Sequence, residues 1–88
     1  MESTPDILPF NVKAYPNPSE HQFTLVLEGA TEEKVAVVVH DVLGRIVYKE
    51  EVSDTYSPIR FGENLKTGVY FVLVRQGDNQ KTIKLIKQ

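Results

Sequence analysis

The sequence predicts an all-β protein built as a sandwich of antiparallel strands. Short apolar stretches, some alternating and some continuous, recur along the chain, and glycine, proline and aspartate interrupt them at short intervals. No apolar pattern recurs at helical spacing over more than one turn. Because short strands joined by turns bury their apolar faces most simply as two facing sheets, we expect about seven strands and no helix.

The first three strands follow from turn signals and apolar patterning. Asn11 to Tyr15 is a short strand that ends at Pro16-Asn17-Pro18, since the two prolines remove backbone donors. Gln22 to Leu27 alternates, which predicts one buried face. Lys34 to Asp41 is apolar on both faces, which predicts a central strand that is covered at least in part on both sides.

The next two strands flank a tight turn and a loop. Asp41 to Arg45 forms the turn, with Gly44 at the left-handed position of a three-residue hairpin loop. Ile46 to Val52 returns along the preceding strand. Pro58 then restricts Ser57 to Phe61 to a sheet edge, because proline has no backbone N–H to donate to a neighbouring strand.

The last two strands form a hairpin. Gly68 to Gln76 is the clearest strand of the chain, and we expect Phe71 to pack in the core. Gly77-Asp78 suits a two-residue hairpin turn. Thr82 to Lys87 is the final strand, with Ile83 and Leu85 on one face and Ile86 on the other.

Composition limits the range of functions. The chain has 88 residues, enough for one domain, a net charge of −2 and no cysteine. The charge gives no general attraction to nucleic acid, and no apolar run approaches the ~20 residues that span a bilayer. We expect residues 1–10 to be a linker, too acidic and proline-rich for a secretory signal peptide, and residues 11–88 to be the domain.

Residues of the catalytic types are scattered. His40 and Asp41 are adjacent on a strand, so their side chains should point to opposite faces and not pair. His21, Ser53 and Ser57 show no spacing that would assemble a triad in a domain of this size. Two isolated histidines and unpatterned carboxylates are not a metal motif. We therefore predict no enzymatic activity, no metal and no cofactor.

The C-terminal end is basic, with Lys81, Lys84 and Lys87 in the last eight residues and no acidic residue after Asp78. Edge strands often carry lysines that prevent sheets from pairing, and the same lysines could recognise an acidic partner. Lys84 and Lys87 are three positions apart, which places them on opposite strand faces. An uncovered edge here would also allow a second copy to pair as a dimer.

Four segments, in this order and at these separations, resemble a known family. They are Tyr15-Pro16-Asn17-Pro18, the stretch VHDVLGRIV from Val39 to Val47, the stretch LKTGVYFV from Leu65 to Val72, and the terminal KTIKLIK from Lys81 to Lys87. The chain is similar to the type A C-terminal sorting domain of the type IX, or Por, secretion system of Bacteroidota, over about Asn11 to Gln88.

The resemblance implies a fold and a role. Members are seven-stranded immunoglobulin-like β-sandwiches at the C-terminus of secreted proteins, which cross the periplasm before export to the outer-membrane surface or the medium. The implied partners are the type IX translocon, outer-membrane shuttle components and a surface sortase-like protease. That protease would cut within or just before residues 1–10. The domain itself is not inserted in the membrane.

The resemblance also assigns roles to residues, which fall into two groups. The group implied to be read as the sorting signal comprises Lys81, Lys84, Leu85, Lys87, Asp41, Gly44 and Arg45. The group implied to support the fold comprises Tyr15, Pro16, Asn17, Pro18, Leu65, Gly68 and Tyr70, with Leu65 closing one end of the sandwich. The alternative function is a carbohydrate-binding or adhesive β-sandwich module that stays on a surface protein.

Overall fold

The computed structural model describes residues 9–88 and confirms an all-β architecture of seven strands, with no helix in that range. No segment of the described chain is therefore a helix able to cross a membrane. The interpretation of residues 1–10 as a linker falls almost wholly outside the described part. The strands are β1 (Asn11–Tyr15), β2 (Phe23–Glu28), β3 (Val35–Asp41), β4 (Ile46–Val52), β5 (Ile59–Phe61), β6 (Gly68–Gln76) and β7 (Asn79–Lys87).

The strands form two antiparallel sheets, one with the order β1-β2-β5 and the other with the order β4-β3-β6-β7. The prediction of β3 as a central strand is confirmed, since it pairs with both β4 and β6. The prediction of an edge strand after Pro58 is also confirmed, since β5 pairs only with β2. The predicted two-residue turn Gly77-Asp78 separates β6 from β7, but β7 begins at Asn79, three residues earlier than the predicted Thr82.

The core lies between the two sheets and is almost entirely aliphatic and aromatic. The inward side chains of β3 are fully buried, whereas Ala36 and Val38 on its outer face are only half-buried. The aromatic part of the core is a row in which Phe61 lies 5.9 Å from Phe23 and 5.4 Å from Tyr48, between ring centroids. The buried apolar set is Val12, Phe23, Leu25, Val35, Val37, Val39, Ile59, Phe61, Tyr70, Val72, Val74 and Leu85.

The expectation that Phe71 packs in the core is wrong. Phe71 is 38% exposed on the outer face of β6, and Tyr70 points inward instead. Both faces of β6 are apolar, so alternation alone does not choose between them. The Tyr70 ring can be buried because its hydroxyl donates a 2.7 Å hydrogen bond to the carbonyl of Lys66.

One end of the sandwich is held by a buried amide. The Gln76 side chain is fully buried and closes on the loop that joins β2 to β3. Its Nε2 donates to the carbonyls of Thr31 (2.9 Å) and Glu33 (2.7 Å), while its Oε1 accepts from the Thr31 amide (2.8 Å). Because three of its hydrogen-bonding positions are filled, the amide can be buried without an unsatisfied group.

Four glycines outside the strands have left-handed backbone, and two of them, Gly44 and Gly62, need glycine for different reasons. Gly44 has φ +83°, which confirms its predicted place in the hairpin loop, and a Cβ there would meet nothing within 4 Å. Gly62 has φ +90°, and a Cβ there would lie 2.9 Å from the Phe23 ring. Gly62 is thus required both by its backbone angle and by close packing.

Replacing each glycine by alanine should separate these two effects. Gly44→Ala should lower the free energy of unfolding by about 1–2 kcal/mol, the cost of a side chain in the left-handed region. Gly62→Ala should lower it by about a further 1–3 kcal/mol, because the Phe23 ring must move. Urea unfolding of both variants measures the difference. Equal losses would show that the contact with Phe23 costs nothing.

Candidate functional site

The four segments that carry the resemblance meet at one end of the sandwich, which we call the motif end. Strand pairing places Gly68 opposite Lys87 and Tyr70 opposite both Leu85 and Asp41. Ser19 forms a parallel bridge with Lys87. The opposite end holds Gln76 and the β2–β3 loop. Segments far apart in sequence are therefore joined at the motif end by the terminal residues of β7.

Asn17 pairs with β7 through its side chain, which acts as a short piece of strand backbone. Its Nδ2 donates to the carbonyl of Lys84 at 2.8 Å, and its Oδ1 accepts from the amide of Ile86 at 3.0 Å. The side-chain amide offers one donor and one acceptor in the arrangement of a peptide unit. Asn17 thus satisfies two outward-facing groups at the edge of the sheet.

Ser19 continues this cover along the edge. Its amide donates to the carbonyl of Ile86 at 2.9 Å, and its carbonyl accepts from the amide of Gln88 at 2.8 Å. The edge of β7 is therefore closed from the carbonyl of Lys84 to the amide of Gln88 by residues of the Asn17–Ser19 segment, which we call the strap. A dimer formed through this half of the edge would require the strap to leave. Edge-strand dimerisation stays a prediction.

Lys87 is buried, with only 4% of the residue exposed. Its Nζ donates to three backbone carbonyls, those of His21, Gly62 (2.6 Å) and Glu63 (3.3 Å). A lysine ammonium has three donors and no acceptor, so these three carbonyls use its full capacity. The side chain ties the end of β7 to the loops before β2 and after β5.

The predicted recognition residues of β7 divide into exposed and buried ones. Lys81 and Lys84 are exposed, whereas Leu85 and Lys87 are buried. The prediction that Lys84 and Lys87 lie on opposite faces is confirmed. A partner that reads the folded domain can touch the side chains of Lys81 and Lys84, but it cannot touch those of Leu85 and Lys87. Their role as a recognition signal stays a prediction.

The turn from Asp41 to Arg45 is fixed by one carboxylate. Asp41 Oδ1 accepts from the amides of Leu43 and Arg45, both at 2.9 Å, and Oδ2 accepts from Arg45 Nε at 2.7 Å. These bonds, first among them the one from the Arg45 amide, hold the pKa of Asp41 below its ordinary value. The carboxylate thus holds the turn in its shape.

The predicted supporting residues lie where the motif end is built. Leu65 is half-buried and packs against the core, and its role in closing the end of the sandwich stays a prediction. Gly68 begins β6, and a Cβ there would make only ordinary contact with the Tyr70 ring. Tyr15 and Pro16 are exposed and lead into the strap, and Pro18 is an exposed residue within it.

The residues of catalytic type do not assemble. No hydrogen bond joins His40 to Asp41, whose carboxylate bonds only within its own turn. Ser57 Oγ donates to Asp54 at 2.7 Å rather than to a histidine. Within residues 9–88, no three His, Cys, Asp or Glu side chains are grouped so that they could hold a metal ion.

Sequence reasoning missed the groups that bind Lys87. The acceptors are the backbone carbonyls of His21, Gly62 and Glu63. The side chains of these residues take no part in binding Lys87, so residue identity gives almost no signal. The one available signal was Gly62, a glycine that follows a strand directly. Ser19, whose backbone covers the edge of β7, also carried no sequence signal.

Lys87 and Lys84 provide a matched pair of substitutions. Lys87→Met keeps the length and apolar stem of the side chain but leaves three carbonyls without their donor. We expect the free energy of unfolding to fall by about 2–4 kcal/mol. Lys84→Met changes an exposed side chain and should alter it by less than about 0.5 kcal/mol. Chemical denaturation measures both, and a loss below 1 kcal/mol for Lys87→Met, on the order of one ordinary hydrogen bond, would contradict the role of its hydrogen bonds.

Comparison with known proteins places the chain in one family. The family model for the secretion system C-terminal sorting domain matches residues 13–88. The chain is 35% identical over 75 residues to an endo-acting ulvan lyase of Formosa agariphila, covering 85% of this chain and 14% of that protein. It is 31% identical over 70 residues to the ulvan lyase NLR42 of Nonlabens ulvanivorans, covering 80% of this chain and 13% of that protein.

The chain thus spans about one seventh of the length of these two relatives, so their lyase names describe proteins of which the matched region is a small part. The family match, in contrast, covers nearly the whole chain and ends at its last residue. It includes all four segments that meet at the motif end. The chain belongs to the family of C-terminal sorting domains of the type IX secretion system, which act as non-catalytic signals.

Proposed function

We propose that this domain is the sorting signal, of type A, of a cargo protein that leaves the cell through the type IX system. Membership in the family implies export across the outer membrane, to the surface or the medium, by interaction with the type IX machinery. In the proposed route the cargo crosses the periplasm first. The translocon and its outer-membrane shuttle components then recognise the folded domain.

The observation that supports this function best is the convergence of the family segments at the motif end. A packing requirement alone would spread such segments over the core, whereas here they build one end around the last residues of the chain. Lys84 and the Asp41–Arg45 turn are exposed at or near this end, whereas Lys81 is exposed opposite Val74, toward the other end. A partner could read them without unfolding the domain.

We also propose that the sandwich is immunoglobulin-like. Seven antiparallel strands in the orders β1-β2-β5 and β4-β3-β6-β7 support this, because strands distant in sequence are neighbours in the second sheet. The domain would comprise residues 11–88. A surface sortase-like protease would remove it by cutting within or just before residues 1–10 when the cargo is attached to the surface.

The alternative of a carbohydrate-binding module has little support from the aromatic residues. Tyr15 and Tyr56 are the most exposed aromatic side chains of the described chain. Tyr15 ends β1 near the motif end, and Tyr56 lies in the loop beside Thr55, which bonds to Thr31 at the opposite end. They do not form one stacking platform.

A fusion assay tests the proposal. A fluorescent reporter with an N-terminal export signal would carry residues 1–88 at its C-terminus, in a host with an intact type IX system and in a translocon-deficient host. Because the domain is the proposed signal, we expect fluorescence at the surface or in the medium only in the intact host. A fusion that lacks Lys81 to Gln88 is the control and should stay in the periplasm.

Retention of the full, folded fusion in both hosts would contradict the proposal. So would normal export of the fusion that lacks Lys81 to Gln88, since the deletion removes most of β7 and the lysine that binds the loops. Protease protection and reporter fluorescence in the periplasmic fraction establish that a retained fusion is folded and intact.

A further inference from the structure

The tip of the β3–β4 hairpin exposes an unusual amount of apolar surface. Val42 is 66% exposed, Leu43 75%, Ile46 58% and Val47 41%. Four of the eight large apolar side chains that are exposed within residues 9–88 thus lie in six consecutive residues. We call these four residues the hairpin tip. Clustered exposure of this kind marks an interaction site more often than scattered exposure does.

The hairpin tip is held in one shape. The Asp41 carboxylate binds the amides of Leu43 and Arg45 and the Arg45 side chain, and the Asp41 amide donates to the Arg45 carbonyl at 2.9 Å. Tight turns usually place polar residues or glycine at their centre, so Val42 and Leu43 are not needed for the turn itself. A rigid turn that presents two aliphatic side chains loses little conformational entropy on binding.

The recess beside the hairpin tip has more positive than negative charges. The recess next to it is lined by Arg45, Lys66, Leu65 and Tyr70, together with Asp41. The Asp41 carboxylate already accepts three hydrogen bonds from its own turn. Arg45 uses only Nε on that carboxylate, and Lys66 is exposed. Asp41 and Arg45 neutralise each other, so the recess has one net positive charge, that of Lys66, and the more exposed partner of the ion pair is Arg45.

We infer that the hairpin tip inserts into an apolar pocket, with carboxylates at its rim, on a protein of the export machinery. This inference rests on the proposed function. Val42 and Leu43 contact the partner, with Ile46 and Val47 extending the apolar contact. Asp41 and Gly44 position the turn, and Arg45 and Lys66 face the carboxylates. An apolar pocket complements the exposed aliphatic side chains, and carboxylates at its rim complement Arg45 and Lys66.

The double variant Val42→Thr, Leu43→Gln tests the apolar contact in the reporter fusion carrying residues 1–88. Both side chains are exposed, so the variant should keep the wild-type unfolding midpoint. Tyr56→Gln is the matched control, because Tyr56 is also an exposed large side chain but lies at the opposite end. Leu43→Met is the conservative variant that keeps an apolar side chain at the tip.

Export of the double variant should fall at least about tenfold. A decrease of this order is expected when a binding interface loses one buried aliphatic side chain. Tyr56→Gln and Leu43→Met should export like the wild type. If the wild-type fusion is exported and the double variant is exported equally well, the inference is wrong and the proposed function stands. If the wild-type fusion is retained, both are wrong.

Reversing the charge of Lys66 tests whether the partner's pocket has carboxylates at its rim. Lys66→Glu should reduce export several-fold, since it would face carboxylates of the partner, and raising the ionic strength should weaken the effect. Arg75→Glu makes the same reversal on β6, toward the opposite end, and should have no effect. Equal export of Lys66→Glu and wild type would contradict a partner with an acidic rim.

Discussion

The motif end depends on the placement of one ammonium group, that of Lys87. A buried lysine normally requires a counter-ion or a full set of hydrogen bonds, since desolvation of an unpaired charge is expensive. Here the three donors are matched by three carbonyls, two of them from the loop that follows β5. Gly62 allows this loop to approach, because any side chain there would overlap Phe23. The terminal residues therefore hold together parts of both sheets.

The strap completes the same arrangement from the outside of the sheet. A terminal edge strand would ordinarily fray and leave its outward amides and carbonyls open to other strands. Asn17 and Ser19 occupy four of these groups, on Lys84, Ile86 and Gln88. The inner hydrogen bonds of Lys87 and the outer ones of the strap act on the same end of β7. The end of β7 is thus part of a rigid surface, on which Lys84 and the hairpin tip remain exposed.

Much of the fold could be predicted because it rests on local patterns. The predicted limits of β1, β4 and β6 are those observed, since prolines, glycines and alternation fix where those strands start and stop. The faces of β6 could not be predicted, since both are apolar, and Phe71 was placed on the wrong one. Within the site, the sequence correctly predicted that Lys84 and Lys87 lie on opposite faces of β7, because side chains alternate along a strand. The burial of Lys87 did not, because its partners are distant backbone carbonyls that no residue identity encodes.

Amide hydrogen exchange at the last residues of β7 most directly tests whether the terminus is locked. If Lys87 and the strap hold the strand, the amides of Ile86 and Gln88 should exchange nearly as slowly as that of Val72 in the centre of the sheet, since their opening requires the motif end to unfold. Exchange of both amides at the rate of an unstructured chain end would contradict the lock and leave β7 a frayed terminus.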